Sequence, residues 1–199
     1  MREQQVAWRH EGRYLGIGLC NVVESTTYGS AFYKAAGIAG SGHEAAWIRI
    51  EPSGAVNASV GLGASGQGYE TAFAQVVADG LGVLPAQVRV LMGNTDIAPY
   101  GMGSRGARGG TAGGGTLYLC ALEANLRVLA IAAHLLGLPD SGVLRMRDAR
   151  IEQQVDHDWL PTRLGLADIA RVAYLDPGLS LPLAWRRAWT STRLTIRRR

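Results

Sequence analysis

The sequence predicts an α+β fold: a mixed sheet with hairpins packed against two main helices, with glycine-rich loops at the helix N-termini. Two patterns carry that prediction. The apolar period switches along the chain between two residues and about 3.6, so strands and helices are interleaved. Of the 27 glycines, 15 fall between Gly61 and Gly115, in runs that lead into helical patterns. With 199 residues, 47% apolar and 18% charged, the chain can fill one good-sized core but not a large multidomain enzyme.

The elements follow in order. Tyr14 to Val23 (YLGIGLCNVV) reads as a buried strand. Trp47 to Ile50 and Val56 to Val60 read as a hairpin, because Glu51-Pro52-Ser53-Gly54 places proline and glycine where a tight turn wants them. Glu70 to Leu81 is helical: Phe73, Val76, Val77 and Leu81 share a face and an acid sits in the first turn. Pro85 ends the connection, and Val88 to Met92 forms a short strand. Leu117 to Leu136 is the longest helical pattern, apolar on nearly every side and so expected to be buried against a sheet. Gly137 and Pro139 stop it. Val143 to Val155, turning at Asp148, reads as a second hairpin, and Leu166 to Tyr174 as a short amphipathic helix. The chain therefore divides into an N-terminal extension (1–12), one domain (13–175) and an Arg/Trp-rich, poorly packed tail (176–199).

Charge narrows the function. The net charge is +4, yet the tail holds six arginines against one acid, which leaves the rest of the chain at −1. A nucleic-acid surface on the folded body is not indicated. No run of about twenty consecutive apolar residues argues for a membrane span, and Met1 to Gly12 lacks the apolar stretch of a secretory signal. Cys20 and Cys120 lie a hundred residues apart with no metal-ligand spacing, which suits a reducing cytoplasm.

Two loops carry the chemistry. Gly61-Leu62-Gly63-Ala64-Ser65-Gly66-Gln67-Gly68 runs into the first main helix, and Gly101 to Gly115 runs into the second. A helix N-terminus offers unpaired N–H donors and partial positive charge, and glycine lets an anion or flat ring approach the backbone. Arg105 and Arg108 add the capacity for charge-assisted contacts. Gly61, Gly63 and Gly66 also satisfy the dinucleotide fingerprint G-x-G-x-x-G, but Leu91, Met92 and Gly93 stand where that motif expects a carboxylate. A Rossmann-type nucleotide-binding module is therefore the weaker account. No catalytic constellation is evident. His134 lies on an apolar helix as a core residue, and His157 sits between Asp156 and Asp158 in a loop.

The ordered series Ala64-Ser65-Gly66-Gln67-Gly68-Tyr69-Glu70-Thr71, Ala74-Gln75, Asp79-Gly80-Leu81-Gly82-Val83, Gly93-Asn94-Thr95-Asp96, Ala98-Pro99-Tyr100-Gly101 and Gly106-Ala107-Arg108 resembles the molybdenum hydroxylases. It is similar to the second molybdopterin-binding domain of the large subunit in the xanthine dehydrogenase and aldehyde oxidase family. Pro99-Tyr100-Gly101 is most similar to the aerobic carbon monoxide dehydrogenase-like branch. The resemblance extends from about Gly12 to Tyr174.

That resemblance implies cofactor-holding roles for Gly66, Gln67 and Gly68, and for Gly106, Ala107, Arg108, Gly109 and Gly110. The Gln67 amide would hydrogen-bond the cofactor near the metal, and the second loop would grip the pterin and its phosphate. It implies molybdenum–molybdopterin, in bacterial relatives the cytosine dinucleotide form. The partners it implies are the remainder of the large subunit, an iron–sulfur small subunit and an FAD-bearing medium subunit. The family reaction hydroxylates an aldehyde or N-heterocycle, or oxidises carbon monoxide, with water as oxygen source. The first cofactor domain and the glutamate base have no counterpart in this chain, so it is expected to be inactive alone, and a non-enzymatic fragment or assembly module is the alternative. Where the family loop commonly reads Ser-Arg-Ser-Thr, this chain has Ala107-Arg108-Gly109-Gly110. Weaker cofactor binding is therefore expected, with a gain on Ala107→Ser plus Gly109→Ser.

Overall fold

Alternating apolar residues make the first sheet. Ala46, Ile48 and Ile50 point inward from β1 (Ala46–Ile50), and Val56, Ala58 and Val60 from β2 (Val56–Val60). The two pair antiparallel from Ala46↔Val60 to Ile50↔Val56. The turn closes as expected, with the Gly54 amide donating to the Glu51 carbonyl at 2.8 Å. Ser59 is buried within β2, and its hydroxyl donates to the Leu91 carbonyl at 2.7 Å, so the core carries no unmet hydroxyl there. The computed structural model describes residues 2–23, 27, 29–39, 42–175 and 193–194.

From β2 the chain passes through the first glycine loop into α3 (Tyr69–Leu81) and returns as β3 (Val88–Leu91), parallel to β2. This β–loop–α–β crossover sets the loop at the carboxyl end of β2 and at a helix N-terminus. α4 (Gly114–Leu136) packs against α3 and the sheet, burying Leu117, Cys120, Ala121, Ala124 and Val128 with Phe73, Val77 and Leu81. The Asn125 amide donates to the Leu81 carbonyl at 2.9 Å and so ties the end of α3 to α4. A second sheet follows, ordered β4 (Leu144–Arg147), β5 (Arg150–Val155) and β6 (Asp158–Gly165), and α5 (Leu166–Leu175) seals its inner face with Leu166 and Ile169. The α+β class holds.

Several sequence expectations are corrected. Tyr14 to Val23 is neither a strand nor buried: Leu19 is 96% exposed and Val23 100%, and no described residue forms a ladder with it. An apolar run without a paired neighbour cannot become a strand, whatever its propensity. Residues 2–10 of the N-terminal extension form a helix, α1 (Arg2–His10), with no buried residue, and a short helix, α2 (Ser30–Ala35), precedes the first sheet. The second hairpin gains a third strand, β6, whose Pro161 and mixed polarity conceal it from periodicity. The long helix starts earlier than Leu117, since a π-type turn over Gly109–Gly113 runs directly into α4.

α4 is also less enclosed than its composition implies. Tyr118, Leu119, Leu122 and Leu126 are exposed, and so is His134, which is no core residue. The span 109–136 is long and apolar enough by composition to cross a bilayer, and its buried face forms the core of this domain. Within the tail, Arg193–Leu194 forms β7, antiparallel to β1 at Trp47 and Ala46. The expectation of poor packing for the rest of 176–199 lies outside the described residues.

Candidate functional site

Both glycine loops sit at helix starts that no side chain caps. Gly68 is the N-cap of α3 in the left-handed conformation (φ 71°), with no side-chain hydrogen bond to the helix. The Gly109–Gly113 turn ahead of α4 likewise lacks a side-chain cap and has no acid in its first turn. The first amides of a helix have no partner within it, and the macrodipole places partial positive charge on them. Each loop therefore presents N–H donors suited to an anion.

The loops touch. Tyr69 opens α3 beside Gln67 and Gly68, stacks on Phe73 with ring centroids 4.8 Å apart, and reaches across to the second loop. A Cβ on Gly109 would collide with the Tyr69 hydroxyl. The same hydroxyl lies 3.5 Å from the Ser104 hydroxyl. The two helix starts are thus joined through one aromatic side chain.

The expected site residues fall in two groups. Gly66, Gln67, Gly68, Gly106, Ala107 and Gly110 are exposed, whereas Arg108 and Gly109 are buried. The Gln67 amide oxygen accepts from the Ser65 backbone N–H at 2.5 Å, which fixes the side chain along its own loop. A Cβ placed on Gly66, Gly68 or Gly110 would meet nothing within 4 Å, so these stretches are open on their outer side. Gly106 and Ala107 both turn with positive φ (51° and 52°).

Arg108 departs from the role read for it. Its side chain is wholly buried and spent on protein partners. Nη1 donates to Glu44 Oε2 at 2.6 Å and to the Gly103 carbonyl at 2.7 Å. Nη2 donates to the carbonyls of His43 at 2.9 Å and Gly42 at 3.3 Å. The Nε–H alone has no partner among the described residues. A guanidinium held in this way shapes its loop; its fork is not open to a ligand. Arg105, the other arginine, lies over the Tyr33 ring at 5.1 Å.

Glu44 escapes a motif search, but a signal for it exists. Counting back by twos from Ile50, Ile48 and Ala46 reaches position 44, two residues ahead of β1, which puts a carboxylate on the buried side of the chain and demands a cation. A cleft of about 400 Å³ adjoins at His43, lined also by Trp47, Asp96, Pro99 and Tyr100, with the His43 and Tyr100 rings stacked at 6.3 Å. No group of three or more His, Cys, Asp or Glu able to hold a metal occurs among the described residues.

The donor set fits a flat, anionic group larger than one phosphate: two uncapped helix starts, open backbone on their outer side, and no carboxylate in either loop. A family model described as molybdopterin cofactor-binding domain matches residues 1–195. The chain is 30% identical over 195 residues to the nicotine 6-hydroxylase large subunit of Paenarthrobacter nicotinovorans, covering 93% of this chain and 23% of that protein. It is 34% identical over 172 residues to the carbon monoxide dehydrogenase large chain of Hydrogenophaga pseudoflava, covering 83% and 21%. Quinoline 2-oxidoreductase from Pseudomonas putida 86 superposes with a TM-score of 0.70 at 30% identity, over 97% of this chain and 23% of that one. The chain thus spans under a quarter of the length of the relatives it matches.

Proposed function

Since the chain belongs to the molybdopterin cofactor-binding domain family, we propose that its two glycine loops jointly hold one molybdenum–molybdopterin cofactor, in the cytosine dinucleotide form. The observation that carries this reading is the junction of two uncapped helix starts through Tyr69 and Gly109. The Gln67 amide donates to the cofactor through its Nε2 while its oxygen stays on Ser65. Being neutral, it orients the group without adding charge beside it. Backbone N–H groups of Gly66 to Gly68 and of Gly106, Ala107, Gly109 and Gly110 bind the anionic portions, while the Arg108 N–H donates to the Arg105 carbonyl at 3.1 Å and closes the turn. Arg108 takes part through its loop rather than through its guanidinium.

When bound, that cofactor supplies two-electron oxidation with water as oxygen source, on an aldehyde, an N-heterocycle or carbon monoxide. The domain, 13–175, provides position and electrostatics and has no turnover by itself. Its partners are the remainder of the large subunit, the iron–sulfur subunit and the FAD subunit, in a reducing cytoplasm. The exposed run at 14–23 and the bare face of α4 support association with the rest of a large subunit. The Rossmann alternative is set aside, because the family match covers the fingerprint loop together with the second loop.

Molybdenum and phosphorus content tests the reading. After co-expression with the other subunits, the purified complex should hold both elements, and Gln67→Ala together with Gly110→Asp should strip them. A complex that keeps full metal and phosphorus with both substitutions contradicts it.

A further inference from the structure

The buried ion pair ties the two loops together at a single carboxylate. Glu44 Oε2 takes the Arg108 guanidinium, and Oε1 faces the first residues of both glycine loops. A Cβ at Gly61 would come within 2.6 Å of Oε1 and 2.7 Å of the Gly101 backbone, and a Cβ at Gly101 would strike the same oxygen. The two loops therefore begin packed backbone to backbone against one carboxylate, an approach open only to glycine. Arg108 also donates to the carbonyls of Gly42 and His43, so three N–H donations hold the second loop to the segment before β1, and a fourth, to the Gly103 carbonyl, braces the loop on itself.

We infer that Glu44 and Arg108 are positioning residues that set the spacing between the two ligand-binding loops while touching no ligand themselves. The inference rests on the cofactor reading above and adds residues that acquire a role only through it. A buried pair is a poor source of net stability, because desolvation offsets much of the attraction; its strength is geometric specificity. The five donors of arginine, fixed in a plane, meet a carboxylate and three carbonyls at once, which lysine cannot reproduce. The segment from Gly42 to Glu44 is thereby the fixed reference for both helix starts.

The test uses the full chain with two variants: Glu44→Met/Arg108→Met, which leaves no lone buried charge, and Arg108→Lys, which keeps the cation and loses the fork. Amide exchange is measured over residues 61–68 and 101–113 against β1 and β2, and inorganic pyrophosphate binding is titrated alongside. In both variants the loop amides should exchange at least tenfold faster while β1 and β2 keep their rates, and pyrophosphate affinity should fall at least tenfold. Unchanged loop exchange in folded variants overturns the inference. Loss of the far-UV circular dichroism signal in both also overturns it, since the pair would then hold the core rather than the loops. If the unmodified chain fails to bind pyrophosphate, the cofactor reading fails, and the exchange rates still decide the role of the pair.

Discussion

The Tyr69 hydroxyl occupies the space that a side chain at position 109 would need, so the residue that opens the first helix dictates glycine in the second loop. This relationship corrects the expectation that Gly109→Ser would restore a missing ligand hydroxyl. A serine hydroxyl at that position has no room until the Tyr69 ring leaves its stack on Phe73.

Gly109→Ala should therefore destabilise the domain by about 1–3 kcal/mol, the usual cost of overfilling a packed site. In the Tyr69→Ala background the same substitution should cost far less, because the obstruction is gone. Urea denaturation of the four-member cycle measures this, and additive costs would argue that the two residues are independent.

Gln67 has a different signature. It is exposed and bonds only Ser65 among the described residues, so Gln67→Ala should change unfolding free energy by less than about 1 kcal/mol. The assembled complex should nonetheless lose cofactor on dialysis, on the order of tenfold in affinity for one lost hydrogen bond to an anionic group. Equal retention with and without the amide removes Gln67 from the site.

Cys20 and Cys120 report on assembly. Cys20 is exposed in the unpaired 14–23 run and Cys120 lies on the buried face of α4, so alkylation of the isolated chain should modify Cys20 rapidly and Cys120 only on unfolding. With the rest of a large subunit present, Cys20 should become protected. If it stays equally reactive in the complex, the proposal that the partner covers this run is wrong.

Asn125 gives a test of the fold alone. Its amide caps the Leu81 carbonyl at the end of α3, and Asn125→Ala should cost about 1–2 kcal/mol with no change in cofactor content. Thermal melts together with metal analysis separate the two effects.

Much of this architecture is legible in local sequence. The β1–β2 hairpin and its Glu51–Gly54 turn, α3 and α5 follow directly from period and turn chemistry, because each buries its apolar face within its own neighbourhood. Tyr14 to Val23 misleads for the opposite reason: its apolar run looks like a strand, but strand formation depends on a partner that the described residues do not supply. The exposed stripe at Tyr118, Leu122 and Leu126 is concealed in the same way, since composition reports apolarity and not what covers it.

At the site, glycine spacing marks both loops, and the ordered motifs point to the family. The use of Arg108 is not readable from its loop, because an arginine beside an anion-binding turn looks the same whether it faces a ligand or Glu44, 64 residues earlier. Tyr69 likewise reads as one more helix residue until the second loop lies against it.

The claim that both loops grip one anionic group is tested most directly by an exchange footprint of the chain with inorganic pyrophosphate. Amides of Gly66 to Thr71 and of Gly106 to Thr111 should gain protection together, along one saturation curve. Protection of a single loop, or of two loops with separate midpoints, would contradict the account.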